Sequence, residues 1–195
     1  MELTRGLKGL WASLPSEASA FLVRALLLFM GWKLLYILFL LPLGEPDGWL
    51  VRRLGDATVL TLNMFFGEDG YRVVHVAASQ SQTRPFTEAC ALVYRSGSKP
   101  DIGIFTPCNG LELMVLGSGF ILCFDGTWRK RMLYVSAVLS GVFVVNVLRC
   151  CLLTVIKTDH PAYFEFAHKY LFNLAGYGFV FLLWMRYVKA SMEEG

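Results

Sequence analysis

The sequence predicts an all-α polytopic membrane protein with about four transmembrane helices and a small extracytoplasmic cap. The chain of 195 residues is 55% hydrophobic and only 17% charged, with a mean hydropathy of +0.51. Soluble domains are normally less apolar and more charged. Several stretches also approach the length of about 20 mostly apolar residues that a spanning helix needs. The one sizeable polar stretch, residues 45–107, predicts the cap.

The predicted spans cover residues 21–43, 111–124, 132–156 and 168–188. Pro42 and Gly44 close the first span, which contains Lys33. A lysine is costly at that depth, so it is expected to face other helices or water. The whole chain, 1–195, is predicted to be one integral-membrane domain, in which residues 44–107 are extracytoplasmic and residues 108–188 carry the catalytic helices.

The polar stretch is predicted to fold on the outer surface of the membrane. Residues 49–66 carry apolar side chains at helical spacing together with Arg52, Arg53 and Asp56, which favours an amphipathic surface helix. The alternating pattern of the residues after this helix predicts short strands separated by polar turns. These strands cover residues 71–77, 91–95 and 102–105.

Basic residues near the ends of the spans predict the orientation, because cytoplasmic loops are enriched in lysine and arginine. The basic residues that should lie in the cytoplasm are Arg5, Lys8, Arg129, Lys130, Arg131, Arg186 and Lys189. Both ends of the chain are then cytoplasmic and the cap is outside. The predicted location is the plasma (inner) membrane, with a multi-pass chain and an active site that faces the extracytoplasmic side.

Cys108 stands where the cap turns into the second predicted span. Pro107 suits the last non-helical residue or the first turn of that helix, because its missing N–H is not needed there. Cys108 is therefore expected among the unpaired N–H groups of a helix start, a setting that favours the nucleophilic thiolate. The alternative is a small apolar cysteine that only packs.

Two further residues are predicted to reach the same depth. Arg149 lies near the outer end of the third span, and His168 opens the fourth. A cysteine nucleophile needs a base or a cationic neighbour, and His168 can supply both and later protonate a leaving amine. Arg149 can stabilise an oxyanion or hold the substrate. Asn146 shares a helical face with Arg149 and is expected to orient it.

Each of these residues has an alternative interpretation. Arg149 can be an anchor that snorkels outward, and His168 can be an ordinary interfacial histidine. His160 is a rival base in a predicted polar loop, residues 157–166. His75 and Cys90 are a rival pair in the cap.

Other chemistries find no support in the sequence. The five cysteines form no CxxC pair and have no zinc-like spacing, so no metal site and no cofactor are predicted. There is no HExxH motif, GxSxG motif or Walker-type loop, which argues against metalloprotease, serine hydrolase and NTPase interpretations. No basic run interleaved with aromatic residues indicates nucleic-acid binding.

Three short motifs together resemble those of the exosortase/archaeosortase family. They are Pro107-Cys108-Asn109-Gly110, then Asn146-Val147-Leu148-Arg149, and then His168 opening an apolar helix with Asn173, Gly176 and Gly178. Their order and spacing match over about the C-terminal half of the chain, with a general hydropathy match before it. The chain resembles a short member of the family, with fewer predicted spans than many.

The resemblance implies a membrane cysteine protease or transpeptidase. Its roles carry over to Cys108 as the nucleophile, His168 as the general acid/base and Arg149 as the group that stabilises the oxyanion or the substrate. Asn109 and Asn146 are expected to support them.

The partners that the resemblance implies are exported proteins with a C-terminal signal, made of a short motif, a transmembrane helix and a basic cluster. The new carboxyl end would pass to an envelope acceptor, a glycan or a lipid. Membrane lipid is a further expected partner. Simple proteolysis, with water as the acceptor, is a second interpretation. A third is a non-enzymatic membrane protein, such as an assembly factor or transporter subunit, in which Cys108 tolerates serine.

Overall fold

The computed structural model describes residues 16–44, 46–67, 70–76, 89–95, 97, 99–124 and 126–193. Three helical stretches in these ranges are long and apolar enough to cross a membrane: Ser19–Leu43, Trp128–Asp159 and Pro161–Met192. A further apolar helix is shorter, and one small three-stranded sheet accompanies the helices. The chain is thus helical and suited to a membrane, as the sequence predicts. The N-terminal basic residues used to predict the orientation lie outside the described residues.

Helix α1 contains the first candidate span and begins at Ser16. It runs as an α-helix over Ser16–Leu35, as a π-helical turn over Tyr36–Leu40 and as a last turn over Leu41–Leu43. Gly44 ends the helix with a φ of 67°, a left-handed conformation that glycine adopts without steric cost. The predicted end of the first span is therefore confirmed.

The cap consists of one helix packed on an antiparallel sheet. Helix α2 is Asp47–Phe66, and the strands are β1 Tyr71–Val76, β2 Cys90–Arg95 and β3 Ile102–Phe105, in the order β1-β2-β3. The helix touches the sheet at Gly55, where an added Cβ would lie 2.7 Å from the Cβ of Ala91. The amphipathic helix and all three strands are confirmed, with small differences at their ends.

Three more helices complete the membrane part of the fold. They are α3 Leu111–Cys123, α4 Trp128–Asp159 and α5 Phe172–Met192. Helix α3 packs against α1, α4 and α5. It is antiparallel to α1, because Lys33 pairs with Glu112 at its start while Arg24 donates a hydrogen bond to the Cys123 carbonyl at its end.

The length of α3 bears on the predicted number of spans. Its 13 residues measure about 20 Å, which is less than the hydrocarbon core of about 30 Å. The helix runs beside the central part of α5. Gly176 of α5 lies beside Leu113 near the start of α3, and Tyr187 of α5 lies beside Gly126, just after the end of α3. Four spans therefore remain a prediction, with α3 as the short one.

The predicted polar loop at residues 157–166 is wrong. Helix α4 extends to Asp159. A helical lead-in segment then continues into α5 without a break; it consists of a 3₁₀ turn, Pro161–Tyr163, an α-helical turn, Phe164–Phe166, and a π-helical turn, Ala167–Leu171. The polar residues in this region favour a helix, because Glu165 and Lys169 form an i,i+4 ion pair at 2.9 Å. His168 consequently lies inside the helical segment and does not open it.

Candidate active site

Cys108 lies in a turn between the sheet and α3. It is the last residue of a 3₁₀ turn, Thr106–Cys108, and is partly exposed. Gly110, two residues after Cys108, has a φ of 80°, and α3 begins only after this glycine. The side-chain oxygen of Asn109 accepts the N–H of Leu111 at 2.9 Å. The expectation that Cys108 sits among free N–H groups of the helix start is therefore corrected, because Asn109 takes up the first of them.

Arg149 supplies the positive charge beside the thiol instead. It projects from α4, and its Nη2 lies 3.9 Å from the Sγ of Cys108. Within the described part of the chain, no carboxylate forms an ion pair with Arg149. A cation that is not neutralised by a neighbouring acid stabilises a thiolate more effectively. Two of the three predicted catalytic residues are thus in contact.

His168 lies in the π-helical turn before α5. Its ring stacks on Phe164 with centroids 5.8 Å apart and the ring planes 8° from parallel. Among the described residues there is no hydrogen bond between His168 and Cys108, so the structure brings together only Cys108 and Arg149. Single π-helical turns inside α-helices are frequent at functional sites.

A network of three nearly buried polar side chains holds the turn that carries Cys108. Asp47, Asn109 and Asn146 are 5%, 3% and 7% exposed. Nδ2 of Asn109 donates to Oδ1 of Asp47 at 2.6 Å, and Nδ2 of Asn146 donates to the Asn109 carbonyl at 3.1 Å. Asn146 therefore binds the cysteine turn, whereas the sequence predicts that it orients Arg149.

Asp47 was missed by sequence reasoning. The predicted amphipathic helix starts at residue 49, so Asp47 counted as loop, while α2 in fact begins there. An acidic residue directly after Pro46 is a helix-start signal that would have moved this boundary. Its pairing with Asn109, across 62 residues of sequence, leaves no local signal.

A cleft of about 320 Å³ opens beside the turn; Arg149 is among its lining residues, and Cys108 and His168 are not. Lys33 and Glu112 form an ion pair in its wall at 2.8 Å, so the prediction that Lys33 faces other helices or water is confirmed. The cleft is also lined by polar and aromatic side chains, among them Asp47, Asn109, Asn146, Asn173, Tyr36 and Tyr177.

The rival sites are not assembled. His160 is exposed at the end of α4 and contacts Tyr163 edge-on. His75 lies on β1, where its Nε2 is 2.8 Å from Oδ1 of Asp56. Cys90 is paired in register with the residue after His75, so the two side chains project from opposite faces of the sheet.

The cysteines other than Cys108 have no sign of chemical activation. All five thiols are free. Cys90 is 1% exposed, and burial raises the pKa of its thiol.

In the described ranges, no three His, Cys, Asp or Glu side chains cluster in a way that could hold a metal ion.

Comparison of the chain with protein-family models, with curated proteins and with solved structures finds no match. The fold and the contacts described above define a helical protein suited to a membrane, with a thiol–guanidinium contact at the base of its cap.

Proposed function

We propose that the protein is a membrane-embedded cysteine protease or transpeptidase of the exosortase type. It would cleave the C-terminal sorting signal of exported proteins and transfer them to an envelope acceptor, a glycan or a lipid. The observation that supports this most is the contact of 3.9 Å between Arg149 and Cys108. A guanidinium without a carboxylate partner stabilises both a thiolate and the oxyanion that forms when the thiolate attacks a carbonyl.

In the proposed reaction, the Cys108 thiolate attacks the scissile carbonyl and forms a tetrahedral intermediate. Arg149 stabilises its oxyanion, and His168 gives a proton to the leaving amine as the thioester forms. An acceptor nucleophile or water then loses a proton to His168 and attacks the thioester, which frees the Cys108 thiolate. His168 therefore begins and ends the cycle protonated, and it acts on the leaving group and on the acceptor.

The proposed topology has four spans, with α3 as the shortest and with both chain ends in the cytoplasm. The alternating directions of the helices and the basic residues that begin α4 support this arrangement. Lys130 at the start of α4 donates a hydrogen bond to the Ala190 carbonyl near the end of α5. The cleft would then face the extracytoplasmic side of the plasma membrane, where exported substrates arrive.

The test is processing of an exported reporter that ends in a short motif, a transmembrane helix and a basic cluster taken from the same organism. Cys108→Ala and Cys108→Ser should abolish processing, because neither supplies a thiolate. Cys123→Ala is the matched control, since Cys123 is also partly exposed but lies at the far end of α3. Full processing by Cys108→Ala protein would rule out Cys108 as the nucleophile.

A further inference from the structure

Asp47 is a nearly buried carboxylate that the proposed reaction does not use. It is the first residue of α2 and is 5% exposed. Its Oδ1 accepts a hydrogen bond from Nδ2 of Asn109 at 2.6 Å. A carboxylate out of water is costly unless it is well hydrogen-bonded, and bonds to a charged acceptor are about twice as strong as neutral ones. This contact is therefore a strong link between the cap and the cysteine turn.

Asn109, the neighbour of Cys108, is held through each of its polar groups. Its side-chain amide is bound by Asp47. Its backbone N–H, backbone carbonyl and side-chain oxygen are bound by Thr106 at 3.2 Å, Asn146 at 3.1 Å and Leu111 at 2.9 Å. Two of these partners are local, one belongs to α4, and only Asp47 belongs to the cap helix. Among the described residues, the hydrogen bond between Asn109 and α2 is therefore the one made by Asp47.

We propose that Asp47 is a positioning residue, which holds the Cys108 thiol beside Arg149 by fixing Asn109. Without this acceptor the buried amide of Asn109 loses its partner, and the turn relaxes to regain one. The thiol lies 3.9 Å from the guanidinium, near the limit for a hydrogen bond to sulfur, so a small displacement ends the contact. The inference rests on the proposed function for its catalytic meaning, whereas its geometry can be tested on the thiol itself.

The test measures alkylation of the full-length protein in lipid nanodiscs by iodoacetamide, with the rate at each cysteine read by peptide mass spectrometry. Asp47→Ala should slow alkylation of Cys108 about tenfold, because a lost hydrogen bond to a charged group has an effect of that order. Asp47→Asn keeps an acceptor oxygen and should stay within about twofold of the unmodified protein. Cys90 is an internal control, because its burial should protect it throughout.

A double-mutant cycle separates positioning from a general structural role. Arg149→Leu should slow alkylation of Cys108 in the native background, but it should have little further effect in Asp47→Ala protein, where the thiol has already left the guanidinium. Asp56→Ala is the matched control. Asp56 is a carboxylate of the same helix whose partner is His75, and its loss should leave the Cys108 rate unchanged.

Three outcomes would overturn the inference: an unchanged Cys108 rate in Asp47→Ala protein, new alkylation of Cys90 in that variant, or equal slowing by Asp47→Asn. The second would indicate a general loss of packing, and the third would show that the acceptor oxygen is not what matters. If the alkylation results are as expected but the reporter is not processed by the native protein, the proposed function fails and the positioning role stands.

Discussion

Replacement of Arg149 by lysine separates an electrostatic role in the reaction from a role as a membrane anchor. Lysine keeps the charge and can snorkel as well as arginine, so an anchor would tolerate it. The guanidinium, however, is a planar fork whose paired donors an ammonium group cannot reproduce. Its Nη2 points at the Cys108 thiol, 3.9 Å away, and not outward. Loss of one well-placed oxyanion donor typically lowers the rate about 100- to 1000-fold, or about 2.7–4 kcal/mol.

Arg149→Lys should therefore remove most processing while expression and membrane insertion stay intact. Folding should be little affected, because no carboxylate in the described part of the chain loses an ion-pair partner. The assay is the ratio of cleaved to uncleaved reporter at matched enzyme levels. Arg186→Lys, an exposed position on α5, is the matched control. Near-normal cleavage by Arg149→Lys protein would refute the reasoning and reduce the site to Cys108 and His168.

Further predictions concern the topology and the close contacts made by glycines. Reporter fusions at Asp125 and after Gly195 should both report a cytoplasmic location, and an external signal at either would contradict four spans. Gly110→Ala should destabilise the protein by about 1–3 kcal/mol in denaturant titrations, since φ is 80° and an added Cβ would overlap a buried amide. Gly55→Ala should cost about 1–3 kcal/mol by overpacking the sheet. Gly31→Ala, with open space around its Cβ, is the control and should be stabilising by about 0.4–1 kcal/mol. A loss of stability in Gly31→Ala protein as large as that in Gly55→Ala protein would refute the packing argument.

The cap could be predicted closely because its signals are local. Apolar residues at a period of two identify the strands, and apolar residues at helical spacing identify α2. The lead-in segment of α5 could not be predicted as a helix, because its composition resembles that of a loop. Its polar residues stabilise a helix only through pairs such as Glu165 with Lys169. The prediction therefore placed His168 at the start of a helix. In the structure it lies in the interior of the helical segment, where its ring stacks on Phe164.

The contact between Cys108 and Arg149 agrees with their predicted common depth, but the charge that lies beside the thiol was not predicted. Sequence reasoning attributed the activation of Cys108 to the dipole of the following helix, which is a local feature. In the structure Asn109 occupies that helix start, and the charge beside the thiol comes from Arg149 on another helix. Asn109 is in turn held by Asp47 in the cap and by Asn146 in α4. The position of the thiol therefore depends on how the cap, the turn and α4 pack together. Pairings across such long stretches of sequence have no pattern that periodicity or motif spacing can detect.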